Sequence, residues 1–254
     1  MSKQHSISDH LHLQHTPEAI AGRLSEAKRH HYLGDFVLGA VDGAVTTFAV
    51  VAGATGANLP SGVALVLGLA NVFADGFSMA AGNFLRARSD QQLLARYRQQ
   101  EELHIEQIPD GEREEIRQIF QSKGFSGETL ENIVRVITED RRQWVDTMLT
   151  EEWGLRLELP SPWWTGLVTF GAFLLAGLIP LAPLFFRLQG AASEVFVVSA
   201  VLTGCTFFLV GLMRGRVADE RPLWSGLETL FIGGSAAAAA YFVGWLLEGW
   251  AGKS

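Results

Sequence analysis

The chain has 254 residues, 48% of them hydrophobic, with a formal net charge of −7 and a pI near 5.5. No basic face stands out, which excludes nucleic acid as a partner, and the single cysteine, Cys205, excludes an intrachain disulfide. The mean hydropathy of +0.18 averages over strong segregation, since 16 of the 27 acids fall within residues 87–160 while long uncharged runs lie on either side.

Residues 1–34 read as an N-terminal arm. It opens polar and His-rich, without the apolar core of a signal peptide, so no cleaved leader is expected. Residues 16–30 carry an amphipathic pattern: Thr16 suits a cap, Pro17 the first helical position, and Ile20, Leu24 and Ala27 share a face. A helix lying in the membrane plane is expected there. His10, His12 and His15 precede it and His30 and His31 follow, as either a metal-collecting arm or a polar tail with incidental histidines.

From Gly43 to Ala74, 32 consecutive residues carry no charge. That is too long for one helix across a ~30 Å hydrocarbon core, which takes about 20 residues. Its middle, Gly56-Ala57-Asn58-Leu59-Pro60-Ser61-Gly62, has turn composition, so two spans are expected at about 35–57 and 61–85. Asp42 lies in the first and Asp75 in the second, and an Asp at such a site costs roughly 2.5–3.5 kcal/mol on insertion scales.

The second span should continue as a helix to about residue 106, where Pro109-Asp110-Gly111 breaks the chain. Asp110 is the expected cap of a helix over 111–122, Gly124 ends it, and Ser126 starts another over about 127–138. A last helix, about 139–156, stops before Pro160-Ser161-Pro162. Three further spans follow at about 163–186, 192–213 and 225–248, built on the uncharged runs Leu159–Phe186, 195–213 and 229–247. Cys205, in the fourth span, reads as a small core residue. The expected fold is all-α: a polytopic membrane protein of five transmembrane helices per protomer. Its domains are the arm 1–34, spans one and two over 35–86, a three-to-four-helix metal-binding domain over 87–160, and spans three to five over 161–254.

Of the 20 Lys and Arg residues, 18 fall in the N-terminal arm, the central stretch with Arg86 at its edge, or the 214–224 loop, and only Arg187 and Lys253 lie opposite. The positive-inside tendency therefore puts the N-terminus and the central domain in the cytoplasm. Trp163, Trp164, Trp224, Trp245 and Trp250 sit where an interfacial aromatic belt belongs.

At 1.5 Å per residue, Asp42 and Met79 both fall about 9–11 Å from the cytoplasmic surface. Asn71, Asp75 and Met79 follow i, i+4, i+8 on the second span, with Gly82 nearby, and Asp35, Gly39, Asp42 and Thr46 form a stripe on the first. Carboxylates alone suit Mg²⁺ or Ca²⁺, whereas an added thioether favours a softer transition metal such as Fe²⁺. The competing reading makes Asp42 a structural hydrogen-bonding group and Met79 ordinary packing. Gly39 and Gly43, four apart, suit a close helix interface, including one between two protomers.

In the central stretch Glu101 and His104 are i, i+3, Glu112 and Glu115 repeat that spacing, and Met148 and Glu152 are i, i+4. Glu-x-x-His at that spacing presents ligands inward in di-iron bundles. Glu pairs at helical spacing also arise as solvated faces. No nucleophile–base pair or phosphate loop is present, so an enzyme is not expected.

These residues carry a resemblance. Asp35-Phe36-Val37-Leu38-Gly39-Ala40-Val41-Asp42-Gly43, Ala74-Asp75-Gly76-Phe77-Ser78-Met79-Ala80-Ala81-Gly82, Pro109-Asp110-Gly111-Glu112-Arg113-Glu114-Glu115 and Trp144-Val145-Asp146-Thr147-Met148-Leu149-Thr150-Glu151-Glu152 resemble the vacuolar iron transporter family, from about residue 16 onward. The resemblance implies a homodimer of five-span protomers that exports Fe²⁺ from the cytosol in exchange for protons, through a pore at the protomer interface. It implies a transport path at Asp42 and Met79, with Asp75, Asn71 and Thr46 beside it, and a cytoplasmic metal site of Glu101, Glu112, Glu115, Met148 and Glu152. Metal is then substrate, no permanently bound cofactor is expected, and the expected location is a bacterial inner membrane. Three positions depart from the family pattern: His104 stands for a Glu, Leu149 for a second Met, and Asn71 for a membrane acid, with Asp75 one turn on. Mn²⁺ or another divalent metal as the cargo, and a non-transporting membrane-bound metal sensor or buffer, are the alternatives the residues leave open.

Overall fold

A computed structural model describes residues 15–26, 32–186 and 192–251, and all regular structure among them is helical. The helices are α1 (Pro17–Glu26), α2 (Leu33–Gly56), α3 (Ser61–Gln107), α4 (Pro109–Ser122), α5 (Gly127–Glu139), α6 (Arg141–Glu151), α7 (Pro162–Gly177), α8 (Ala182–Phe185), α9 (Ala192–Val217) and α10 (Pro222–Ala251). The chain divides into two compact units, one of residues 1–31 with 87–160 and one of residues 32–86 with 161–254. His10, His12, His30, His31, Arg187 and Lys253 lie outside the described residues.

In the 32–86/161–254 unit, α2 packs against α7, α9 and α10. Glycine allows the closest of these approaches. A Cβ on Gly39 would sit 2.3 Å from the Thr169 carbonyl oxygen, and one on Gly43 would sit 2.4 Å from that of Phe173. The expected small-residue interface is therefore used inside one chain, against α7. Outward-facing Phe73, Phe77, Leu175, Val201 and Phe231 give the unit an apolar exterior, and Cys205 is exposed on α9 instead of lying in the core.

Four of the described helices are long and apolar enough to cross a membrane: α2, α3, and the segments Glu194–Arg216 and Pro222–Leu246 of α9 and α10. The stretch expected as a third span, 163–186, is not one helix. α7 stops at Gly177, residues 178–181 form turns, and α8 has only 4 residues. Pro180 explains the break: it has no N–H to donate, and its ring would clash with the Ala176 carbonyl in a continued helix. That carbonyl instead accepts from Ile179 N–H at 3.3 Å, and the Pro180 carbonyl accepts from Ser199 Oγ at 2.6 Å. Between α2 and α3, Asn58 at φ 52° makes the turn that the sequence suggested.

The other unit contains the far end of α3, which runs unbroken to Gln107, with α4, α5 and α6. Ile105, Ile116, Leu130, Val134, Trp144 and Met148 are among the residues of its apolar core. Helix α4 begins at Pro109, so Asp110 sits within the first turn and pairs with Arg113 at 2.8 Å instead of capping. Asp140 does cap: its carboxylate accepts from the N–H groups of Arg142 and Gln143, at 2.8 and 3.2 Å. α6 ends at Glu151, short of the expected 156, because Gly154 at φ 63° turns the chain and Leu155 N–H returns to the Leu149 carbonyl at 2.9 Å. Helix α1 matches the start of the expected amphipathic segment, with Ala19 N–H donating to Thr16 Oγ1 at 3.3 Å.

The α2–α7 contact sets a stability test. Gly43→Ala must displace backbone, which costs about 1–3 kcal/mol, whereas a Cβ on Gly62 meets nothing within 4 Å. Thermal melts in detergent should show a lowered Tm for Gly43→Ala and none of that loss for Gly62→Ala; equal melts would contradict this packing.

Candidate metal centre

Glu101 and His104 lie on consecutive turns of α3, and the break at Ile108 and Pro109 folds α4 back so that Glu112 meets them. Ligand atoms of all three lie within 4.8 Å of one another. Two atoms bound to one ion at ~2.1 Å each are at most about 4.2 Å apart, so closure on a cation requires a contraction below about 1 Å. His104 Nδ1 is 3.2 Å from Glu112 Oε1, and Glu101 Oε1 accepts from the Trp153 indole N–H at 2.9 Å. Glu101 and Glu112 are only 1% and 4% exposed, and Oε2 of each is buried without a hydrogen-bond partner. Buried carboxylate oxygens normally find donors, so these two have free lone pairs in a place where they are costly.

The electrostatics point the same way. Burial pushes the Glu112 carboxyl up to about 8, helped by the charges of Glu115, Glu101 and Glu152. Desolvation, with Glu101 and Glu115 nearby, pushes Glu152 up to about 7. By contrast, hydrogen bonds from Gln118 and Arg117 hold Glu114 below the usual carboxylate range, and Arg117 does the same for Glu131. The acids on the outer face of α4 thus have cationic partners, while those on its inner face crowd one another. Glu115 and Glu152 border the group as exposed acids, and Met148 is fully buried in the apolar core with Ile116 and Leu149.

In the membrane-spanning unit, Asp42 is half-buried and lies within electrostatic range of Asp75. Thr46 Oγ1 donates to the Asp42 carbonyl at 2.8 Å and accepts from Asn71 Nδ2 at 3.4 Å, which ties α2 to α3 one turn from the acids. Met79 is half-buried one turn beyond Asp75, and Asp75 itself is exposed in the single chain.

Two features have only faint sequence signals. Trp153 reads as one more apolar residue at a helix end. Asn83 is a polar residue one turn beyond Met79, and that position alone could have flagged it: its amide donates to Asp35 Oδ1 at 2.9 Å and to Thr169 Oγ1 at 2.7 Å. Arg86 donates in turn to Asn83 Oδ1, at 3.0 and 2.9 Å. This buried network joins α2, α3 and α7.

A model of the VIT family matches residues 33–245, a range that includes every residue of both groups. The vacuolar iron transporter of Toxoplasma gondii is 34% identical over 225 residues, which cover 85% of this chain and 74% of that protein. Vacuolar iron transporter 1 of Arabidopsis thaliana is 33% identical over 208 residues, covering 82% of each chain. Vacuolar iron transporter 2 of Oryza sativa subsp. japonica is 35% identical over 211 residues, covering 82% of this chain and 84% of its own.

The raised carboxyls predict a pH dependence. Folding raises the proton affinity of Glu112 and Glu152, so the stability they contribute is complete below about pH 4.5 and is lost as pH rises through 7 and 8. The metal-free protein should melt at progressively lower temperature from pH 5 to 8.5, and Glu112→Gln should flatten that slope. Affinity for Fe²⁺ should climb over the same window, because ligation needs the deprotonated acids. Wild-type and Glu112→Gln melts with identical pH slopes would contradict the assignment.

Proposed function

The chain belongs to the VIT family, and on that premise we propose that it carries a divalent transition metal, Fe²⁺ foremost, out of the cytosol in exchange for protons. It is an integral membrane protein and not an enzyme. The observation that carries the proposal is the pair Asp42 and Asp75, two acids within electrostatic range on helices long and apolar enough to cross a bilayer. Acids at such depth are retained where an ion or proton needs them. The names of the relatives favour iron as the cargo.

In this reading α7 and α8 together form a broken third span, giving five, with the helical unit of residues 87–160 in the cytoplasm on the side rich in Lys and Arg. The membrane is a bacterial inner membrane. Glu101, His104 and Glu112, with Glu115, Glu152 and Met148 around them, gather the ion from the cytosol. The ion then passes Asp42 and Met79, beside Thr46 and Asn71, while Asp75 carries protons in the opposite direction. Asp75, a carboxylate exposed on a spanning helix in the single chain, supports a homodimer. A carboxylate on a spanning helix faces protein or water, and a second copy closing over this face would enclose a pore lined by α2 and α3.

Protein reconstituted into liposomes with an acidic interior should take up Fe²⁺. Asp42→Ala should reduce the initial rate to about a tenth or less, since a loss of ~1.4 kcal/mol is tenfold in rate, while leaving binding at the Glu101 centre intact. Undiminished uptake by that variant would remove Asp42 from the path. Wild-type protein that binds Fe²⁺ but never moves it would support a membrane-bound metal buffer instead.

A further inference from the structure

We propose that Trp153 is a positioning residue for the metal: its indole N–H fixes the Glu101 carboxylate, leaving one defined oxygen open to the cation. The inference rests on the reading of Glu101, His104 and Glu112 as a metal centre. Trp153 Nε1 donates to Glu101 Oε1 at 2.9 Å, while Glu101 Oε2 is buried with no hydrogen-bond partner. An indole N–H can donate but not accept, so it orients the carboxylate without competing for a cation. Partners of this kind set the direction of a ligand's lone pairs and tune its affinity.

Trp153 is itself held from two sides. Its ring packs on Tyr97, with centroids 4.2 Å apart and planes at 37°. Tyr97 precedes Glu101 by four residues on α3, so one indole covers two neighbours on one helix face, its ring on the phenol and its N–H on the acid. From behind, the Trp153 backbone N–H donates to the Met148 carbonyl at 3.3 Å, and the Gly154 turn anchors the following chain. A residue needed only to fill space would not require its one polar atom aimed at the ligand.

The test uses the full-length chain in lipid nanodiscs with Co²⁺ as the probe, followed by calorimetry and by the Co²⁺ d–d absorption bands. Trp153→Phe keeps a ring on Tyr97 and deletes the N–H. Its Kd for Co²⁺ should rise about 10–100-fold, its d–d bands should shift, and its metal-free Tm should fall only modestly, as one buried acceptor loses its donor. Wild-type affinity and bands in Trp153→Phe, alongside weakened binding in Glu101→Gln and His104→Ala, would overturn the role of Trp153 alone. Wild-type binding in Glu101→Gln and His104→Ala would instead overturn the metal centre, and this inference with it. Should Trp153→Phe not fold, the indole N–H resonance of Trp153 in the wild-type chain decides: a shift on adding Zn²⁺ supports the positioning role, and no shift rejects it.

Discussion

Crowded negative charge without enough donors is the constraint on which the helical unit is organised. Glu101 and Glu112 are buried against each other, with Glu115 and Glu152 close enough to be felt, and the polar contacts they make are an indole N–H and an imidazole. Asp110, Glu114 and Asp146, elsewhere on these helices, have guanidinium partners, so the crowding is local. Such a group is tolerated when a proton or a cation neutralises it, and burial beside other carboxylates accordingly raises the proton affinity of Glu112. The apolar core beneath, from Ile116 to Met148 and Leu149, holds α3, α4 and α6 together so that the charges cannot relax apart.

The membrane-spanning unit meets a related problem by dividing the faces of α2. Gly39 and Gly43 seat it against α7 at backbone distance, and the half-buried Asp42 and Thr46 are left beside Asn71 and Asp75 of α3. Near the start of α2, Asp35 accepts at Oδ1 from Asn83, which also binds Thr169. One stripe of α2 therefore carries acids with opposite fates. Asp35 is locked into a buried network that joins three helices, while Asp42 is left half-buried beside a second carboxylate.

Much of this was legible in the sequence, because the signals were long. Uncharged runs marked the spanning helices, the Asn58–Pro60 turn separated α2 from α3, and helical spacing put Glu101 and His104 on one face of α3. That Glu112 closes on them depends on how Pro109 redirects the chain, which spacing along one helix cannot report. The third span read as continuous because hydropathy does not register the missing N–H of Pro180. The glycines at 39 and 43 announced a close interface but not with what, and the partner proved to be α7 of the same chain. Trp153 was invisible for a related reason: its role depends on the direction of one N–H after a helix has ended.

The most direct test of the central claim is anomalous diffraction from crystals of the full-length protein soaked with Fe²⁺ under anaerobic conditions, recorded on both sides of the iron absorption edge. A peak within coordination distance of Glu101, His104 and Glu112 is expected. An iron-loaded crystal with no peak there would contradict it.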